Sequence, residues 1–154
     1  MGKISDRLNE LGLSLPTAPK PVAAYIPAVH YGNLLFVSGQ LPLKDGQLLS
    51  TGKVGEVVSL DEAYAAARQC TLNALSVAQD VLGDLDRIDR IIRVGGFVQS
   101  ADGFSDQPKV INGASELLGE IFGEKGRHAR AAVGVNELPL NASVEVEFVI
   151  GVAD

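Results

Sequence analysis

The chain has 154 residues with 46% hydrophobic and 21% charged side chains, the length and balance of one globular domain, residues 1–154, and not of a disordered segment. Thirteen basic against nineteen acidic residues give a net charge of −6, which counts against a nucleic-acid partner, because phosphate contacts need a positive face. The single cysteine, Cys70, excludes an internal disulfide and a cysteine-based metal site and fits a cytoplasmic chain, and no apolar run reaches the roughly 20 residues of a membrane span.

Residues 1–23 read as a lead-in. Ser5-Asp6 offers a cap for a short helix to about Leu11, stopped by Gly12. Pro16, Pro19 and Pro21 then impose an extended connector. A short strand over Tyr25–Val29, a turn at Tyr31-Gly32-Asn33 and a buried strand over Leu34–Val37 follow, the last ended by Ser38-Gly39-Gln40. Pro42 to Gly52 reads as loop, with Lys44-Asp45-Gly46 as a hairpin-type turn.

Ser59-Leu60-Asp61-Glu62 is a capping box opening a long helix to Leu82, with Gly83 as its stop. Leu60, Tyr64, Ala67, Thr71, Ala74, Ala78 and Val81 form its stripe, and Cys70, one position off, reads as a small buried hydrophobe. Ile88 to Gln99 is β-branched and reads as a strand, its Gly95-Gly96 pair marking a bulge or a close approach. A turn at Asp102-Gly103 leads to a second helix, Asp106 to Phe122, whose central Gly113 calls for a packing reason. The final pattern reads as a hairpin of Ala131–Val135 and Val144–Val149 joined through Leu138–Asn141. The expectation is therefore an α+β fold, with a mixed sheet and two main helices on one face. Its other face needs a cover, for which a symmetric partner is the natural candidate.

Strand alternation puts Arg130, Ala132 and Gly134 on one face, an arginine beside two residues with almost no side chain. That is either room for a carboxylate held by the guanidinium fork or a solvated arginine at a strand end. Val144, Val146 and Phe148 point to the core, and Glu145 and Glu147 to the Arg130 side or to solvent. Two carboxylates two residues apart repel and can raise one pKa; an exposed edge with solubilising charges has the same pattern. Tyr25 can place a hydroxyl in a pocket or lie on the surface. His30 and His128 have no metal-ligand spacing, and His128 reads as a loop residue. No nucleophile elbow or phosphate loop is present.

Three segments together resemble the Rid family, also called the YjgF or L-PSP endoribonuclease family. The first is AYIPAVHYGNLLFVSGQLP from Ala24 to Pro42. The second is the helix ending in a Gly-Asp turn with Val94–Gln99 beyond it. The third is RAAVGVNELPLNASVEVE from Arg130 to Glu147. The resemblance spans about Ala24 to Val152. It implies a chorismate-mutase-like fold and a homotrimer with ligand pockets in the clefts between subunits. It also implies hydrolysis of enamine and imine intermediates such as 2-aminoacrylate to a 2-keto acid and ammonia, with no metal and no organic cofactor. By position, Arg130 matches the arginine that holds the substrate carboxylate, and Glu145 the glutamate that positions water or shuttles a proton. Tyr25 matches a pocket tyrosine, Gly39 a glycine whose backbone approaches the ligand, and Asn112 an asparagine of the second helix. Ala132 stands where the archetype has a cysteine and Gly134 where it has an acidic residue. The lead-in helix and the Pro42–Val58 segment are further departures. The alternative reading is a non-catalytic regulatory trimer whose clefts bind a small carboxylate such as a keto acid or amino acid. The family's older ribonuclease or translation-inhibitor label is disfavoured by the charge of −6.

Overall fold

A five-stranded sheet, with two long helices on one face, organises the chain in a computed structural model that describes residues 2–20 and 24–154. In chain order the elements are α1 (Lys3–Glu10), β1 (Ala28–Tyr31), β2 (Leu34–Gln40), β3 (Leu43–Lys44), β4 (Gln47–Leu48), α2 (Leu60–Leu82), β5 (Ile88–Gln99), α3 (Gln107–Phe122), β6 (Ala129–Val135) and β7 (Val144–Val152). The sheet runs β1-β2-β7-β5-β6, with β3-β4 as a separate ribbon. This is the mixed α+β architecture the sequence predicts.

The closing hairpin is not formed. β7 lies between β2 and β5, antiparallel to both, while β6 pairs in parallel with β5 at the sheet edge. The 136–143 segment carries the chain across from one to the other. Buried Gln99 fixes this crossing: its side chain donates to Asn141 Oδ1 (3.0 Å) and accepts from the Leu138 N–H (3.3 Å), and its backbone N–H donates to the Ser143 carbonyl (2.9 Å). Sequence adjacency favours a hairpin, but these bonds hold the two arms apart.

Several local expectations are met. Ser59 and Glu62 close a reciprocal capping box, and Gly83 ends α2 in the left-handed conformation at φ 79°. Asp45 and Gly46 both take positive φ between β3 and β4, as a tight hairpin requires. β1 starts three residues later than the sequence suggests. The expected Ser5-Asp6 cap is replaced: α1 begins at Lys3 after Gly2, which has no side chain to offer, and the Asp86 carboxylate accepts from the Lys3 and Ile4 N–H groups at 2.8 and 2.9 Å. Pro21 lies outside the described residues.

The core lies between the sheet and the α2/α3 layer. Ala63, Ala66, Ala67, Cys70, Ala74 and Ala78 of α2 and Ile111, Ala114, Leu117 and Leu118 of α3 are buried against Leu35, Ile91, Val94, Val146 and Ile150. The small residues of α2 let α3 come close. At the crossing Gly113 has no alternative, because a Cβ there would overlap the Tyr64 carbonyl oxygen. The Gly95-Gly96 pair marks close approach rather than a bulge: Ile111 packs over Gly96, and Glu147 and Arg93 converge on Gly95. The irregularities of β5 fall earlier, between Ile88 and Arg90 and between Ile91 and Arg93. The opposite sheet face carries Val29, Phe36, Ile92 and Val133, all exposed large hydrophobics, around Arg93, Glu145 and Glu147.

Candidate functional site

Arg130 sits near the start of edge strand β6, paired across from Val94, so its side chain rises on the helix-covered side of the sheet beside α3. There the guanidinium is anchored at three points. Nη1 donates to Asn112 Oδ1 (2.9 Å) and Ser115 Oγ (3.1 Å), and Nη2 donates to the Pro108 carbonyl (3.2 Å). Arg130 and Asn112, both singled out from the sequence, are thus brought together. A guanidinium has five N–H donors. With three spent among the described residues, Nε–H and one Nη2 hydrogen remain, enough for a two-point grip on a carboxylate.

The small-residue floor expected beside Arg130 is partly filled. Ala132 packs half-buried against the core. Over Gly134 lies the Gln107 side chain, whose Nε2 is 2.7 Å from where a Cβ would stand and donates to Ser100 Oγ (3.1 Å) and the Phe104 carbonyl (2.8 Å).

Glu145 is on the other side of the sheet. It pairs across from Phe97 on β5, whereas Val146 faces the helices. Of the two orientations left open by the sequence, the Arg130 side is therefore excluded within one copy. The carboxylate is half-buried and lies over the backbone of Gly39, where a Cβ would come within 2.8 Å of Oε2. Burial, then the Glu147 charge, raises its pKa above the ordinary carboxylate value. Complete burial, then the charge of Glu145 itself, pushes the Cys70 thiol well up, so Cys70 is a buried core residue and not a nucleophile.

Tyr25 is exposed at 61% and joins Gly39 in lining a cavity of about 820 Å³. Its other walls come from the lead-in (Leu15, Pro16, Lys20), the β3–β4 ribbon (Leu43, Asp45) and α2 (Asn73). Asn73 pins the ribbon's entry by donating to the Leu41 and Leu43 carbonyls at 3.0 and 2.9 Å. The two segments that depart from the archetype therefore wall the space beside Tyr25.

Two members of the Arg130 cluster, His128 and Ser115, escape the sequence reading. His128 lies in the loop ahead of β6, but its Nε2 is 2.8 Å from Ser115 Oγ and its Nδ1 2.6 Å from the Gly126 carbonyl. A signal was present: His128 is two residues before Arg130, on the same side of an extended chain, and Ser115 is three after Asn112, on the same flank of α3. Among the described residues no three His, Cys, Asp or Glu side chains are grouped to hold a metal ion, and no helix is long and apolar enough to cross a membrane.

Comparison with known proteins shows the family. The model of the family described as "YjgF/chorismate mutase-like, putative endoribonuclease" matches residues 5–151. The chain is 45% identical to Protein TCP17 of Trypanosoma cruzi over 97% of its own length and 94% of that protein's. It is 30% identical to a 2-iminobutanoate/2-iminopropanoate deaminase of Dermatophagoides farinae, over 90% and 93%. A crystal structure of Atu1372 from Agrobacterium tumefaciens, a protein of unknown function, superposes with a TM-score of 0.91 at 48% identity, covering 97% of this chain and 92% of that one. Motif, fold and these likenesses agree that the chain belongs to the YjgF/chorismate-mutase-like family, the Rid family that its two end motifs resemble.

Proposed function

We propose that the chain is a hydrolytic deaminase of reactive enamine and imine intermediates of the 2-aminoacrylate type. It acts at clefts shared between the copies of a homotrimer and releases a 2-keto acid and ammonia. The observation that carries this reading is the Arg130 guanidinium, braced at three points on α3 with two donors left over. That is a preformed fork for a carboxylate, the group such an imine bears next to its reacting carbon. The deaminase relative at 30% identity supports the reaction class.

The imine carbon is already electrophilic, so the protein has little chemistry to supply beyond position and a proton path. Arg130 would hold the carboxylate. Glu145, with its pKa raised above the ordinary carboxylate value by burial and the Glu147 charge, would take a proton from water as it adds to the C=N carbon. It would then return that proton to nitrogen, giving the carbinolamine, and carry the hydroxyl proton to nitrogen in turn, so that the C=O bond forms as the C–N bond breaks and ammonia leaves. Gly39 leaves room for that carboxylate; Tyr25 and Ala132 would border the substrate, and Asn112 would steady Arg130. Arg130 and Glu145 lie on opposite faces of one sheet, so the reading requires Arg130 of one copy to meet Glu145 of the next. The exposed apolar face around Phe36 and Val133 offers the surface for such an assembly.

The test is imine hydrolysis in competition with semicarbazide, the imine being made in situ by an amino-acid oxidase. Wild type should suppress semicarbazone formation, with Arg130→Ala and Glu145→Gln each slower by about a hundredfold. If wild type suppresses nothing but still binds a 2-keto acid through Arg130, the chain is a carboxylate-binding trimer without turnover. Ala132 and Gly134, which bring neither acid nor nucleophile beside Arg130, agree with that second reading.

A further inference from the structure

We infer that Ser115 and His128 are positioning residues that hold Arg130 with its free edge outward to receive a carboxylate; this rests on the reading of Arg130 as the carboxylate anchor. Hydrogen-bond roles in the cluster are fixed by elimination. The Gly126 carbonyl can only accept, so His128 Nδ1, 2.6 Å away, carries a proton. Arg130 Nη1 can only donate, so Ser115 Oγ, 3.1 Å away, accepts from it. The Ser115 hydrogen is then free to point at His128 Nε2, 2.8 Å away, which accepts in the neutral ring. Every donor meets an acceptor in one direction: Arg130 to Ser115 to His128, with the ring itself tied to Gly126.

Charge supports the same assignment. An imidazolium would put a second cation one hydroxyl away from Arg130 and would aim an N–H at an oxygen already accepting from it. Half-burial, together with the Arg130 charge, holds the His128 pKa below its ordinary value. The backbone ties at each end make the cluster stiff. The Pro108 carbonyl holds Nη2 of the guanidinium and the Gly126 carbonyl fixes the ring, while the Asn112 side chain accepts a second bond from Nη1. Gly126 is itself locked, since a Cβ there would overlap the Leu118 carbonyl oxygen. An arginine held in this way forfeits less side-chain freedom on binding, so the bracing acts on affinity for the carboxylate and not on the proton transfer at Glu145.

The experiment has two arms. In the ligand-free arm, nitrogen NMR should show His128 as the neutral Nδ1–H tautomer. It should show separate, slowly exchanging Nη1 and Nη2 signals for Arg130 in wild type, merged by fast rotation in Ser115→Ala and in His128→Phe. In the binding arm, titration with 2-oxobutanoate should give a Kd about tenfold weaker for Ser115→Ala. The Ser115→Thr variant, which keeps the hydroxyl, should restore most of that loss. In an Arg130→Ala background, Ser115→Ala should add nothing, because the bracing acts only through the arginine. With imine substrate, KM should rise while kcat holds. If wild type binds the keto acid through Arg130 but Ser115→Ala binds equally well, the bracing role is overturned while the carboxylate anchor stands. If wild type and Arg130→Ala bind alike, the anchor itself fails, and the inference fails with it.

Discussion

At the scale of single residues, the site depends on two close fits. Arg130 grips α3 through Nη1 and Nη2 and keeps Nε and one Nη2 hydrogen. Lysine cannot reproduce a planar fork that faces two ways, so Arg130→Lys should lose about tenfold or more in kcat/KM, read in the semicarbazide competition. Gly39 is the complement of Glu145. Its φ is not in the left-handed region, so the backbone accepts alanine there. The new Cβ would nevertheless stand 2.8 Å from Glu145 Oε2 and push the carboxylate aside. Gly39→Ala should therefore keep its circular-dichroism spectrum and lose turnover; full activity would separate Glu145 from the chemistry. Glu145 also carries a pH signature. Its folded-state pKa is raised by burial and by Glu147, so its ionisation opposes folding, and the stability present at low pH declines as pH rises through the folded pKa. Glu145→Gln should accordingly raise Tm at pH 8 and leave it nearly unchanged at pH 4. The strand positions of Arg130, Glu145 and Gly39 were legible in the sequence because all three lie within strand motifs of fixed spacing. His128 was harder to see, since a loop histidine declares itself only through the serine it meets on another element.

At the scale of elements, backbone proximity decides more than propensity. Alanine favours a helix over glycine by about 1 kcal/mol, which alone would make Gly113→Ala stabilising. Its Cβ would overlap the Tyr64 carbonyl, a backbone atom of α2 that cannot swing away, and overpacking of that kind costs about 1–3 kcal/mol. Denaturant unfolding should show a net loss. A gain would mean that the α2–α3 crossing is looser than described. The lead-in helix depends on a cap supplied from a distance. The Asp86 carboxylate receives the Lys3 and Ile4 N–H groups, which lower its pKa. Asp86→Ala should speed hydrogen exchange at α1 at neutral pH. The difference from wild type should fade as pH falls through the folded pKa, where the native cap is protonated too. The sequence places a cap at Ser5-Asp6 because side-chain capping is usually local, and nothing along the chain marks residue 86 as the donor of the group. The same limit explains the misplaced hairpin. Two apolar runs joined by a short Pro-containing segment look like neighbours, and only the tertiary bonds of Gln99 to Leu138, Asn141 and Ser143 show that they are not.

At the scale of the whole molecule, the element order, the two helices and the bare sheet face follow from periodicity and length. The strand order does not, because it depends on which edges the 136–143 crossing and the β5–α3–β6 connection bring together. That order has a functional consequence. It sends Arg130 to the helix side of an edge strand and Glu145 to the bare side of the central strand, so one copy does not hold both groups in one pocket. The site is then shared between neighbouring copies if Arg130 and Glu145 act together, and mixing copies decides it. Arg130→Ala and Glu145→Gln chains, each inactive alone, are co-expressed with different tags and purified as mixed assemblies. In a trimer, one of the three clefts would then unite an intact Arg130 from one copy with an intact Glu145 from the other. Such trimers should recover about a third of wild-type imine hydrolysis; mixed trimers as inactive as their parents would rule out the shared site.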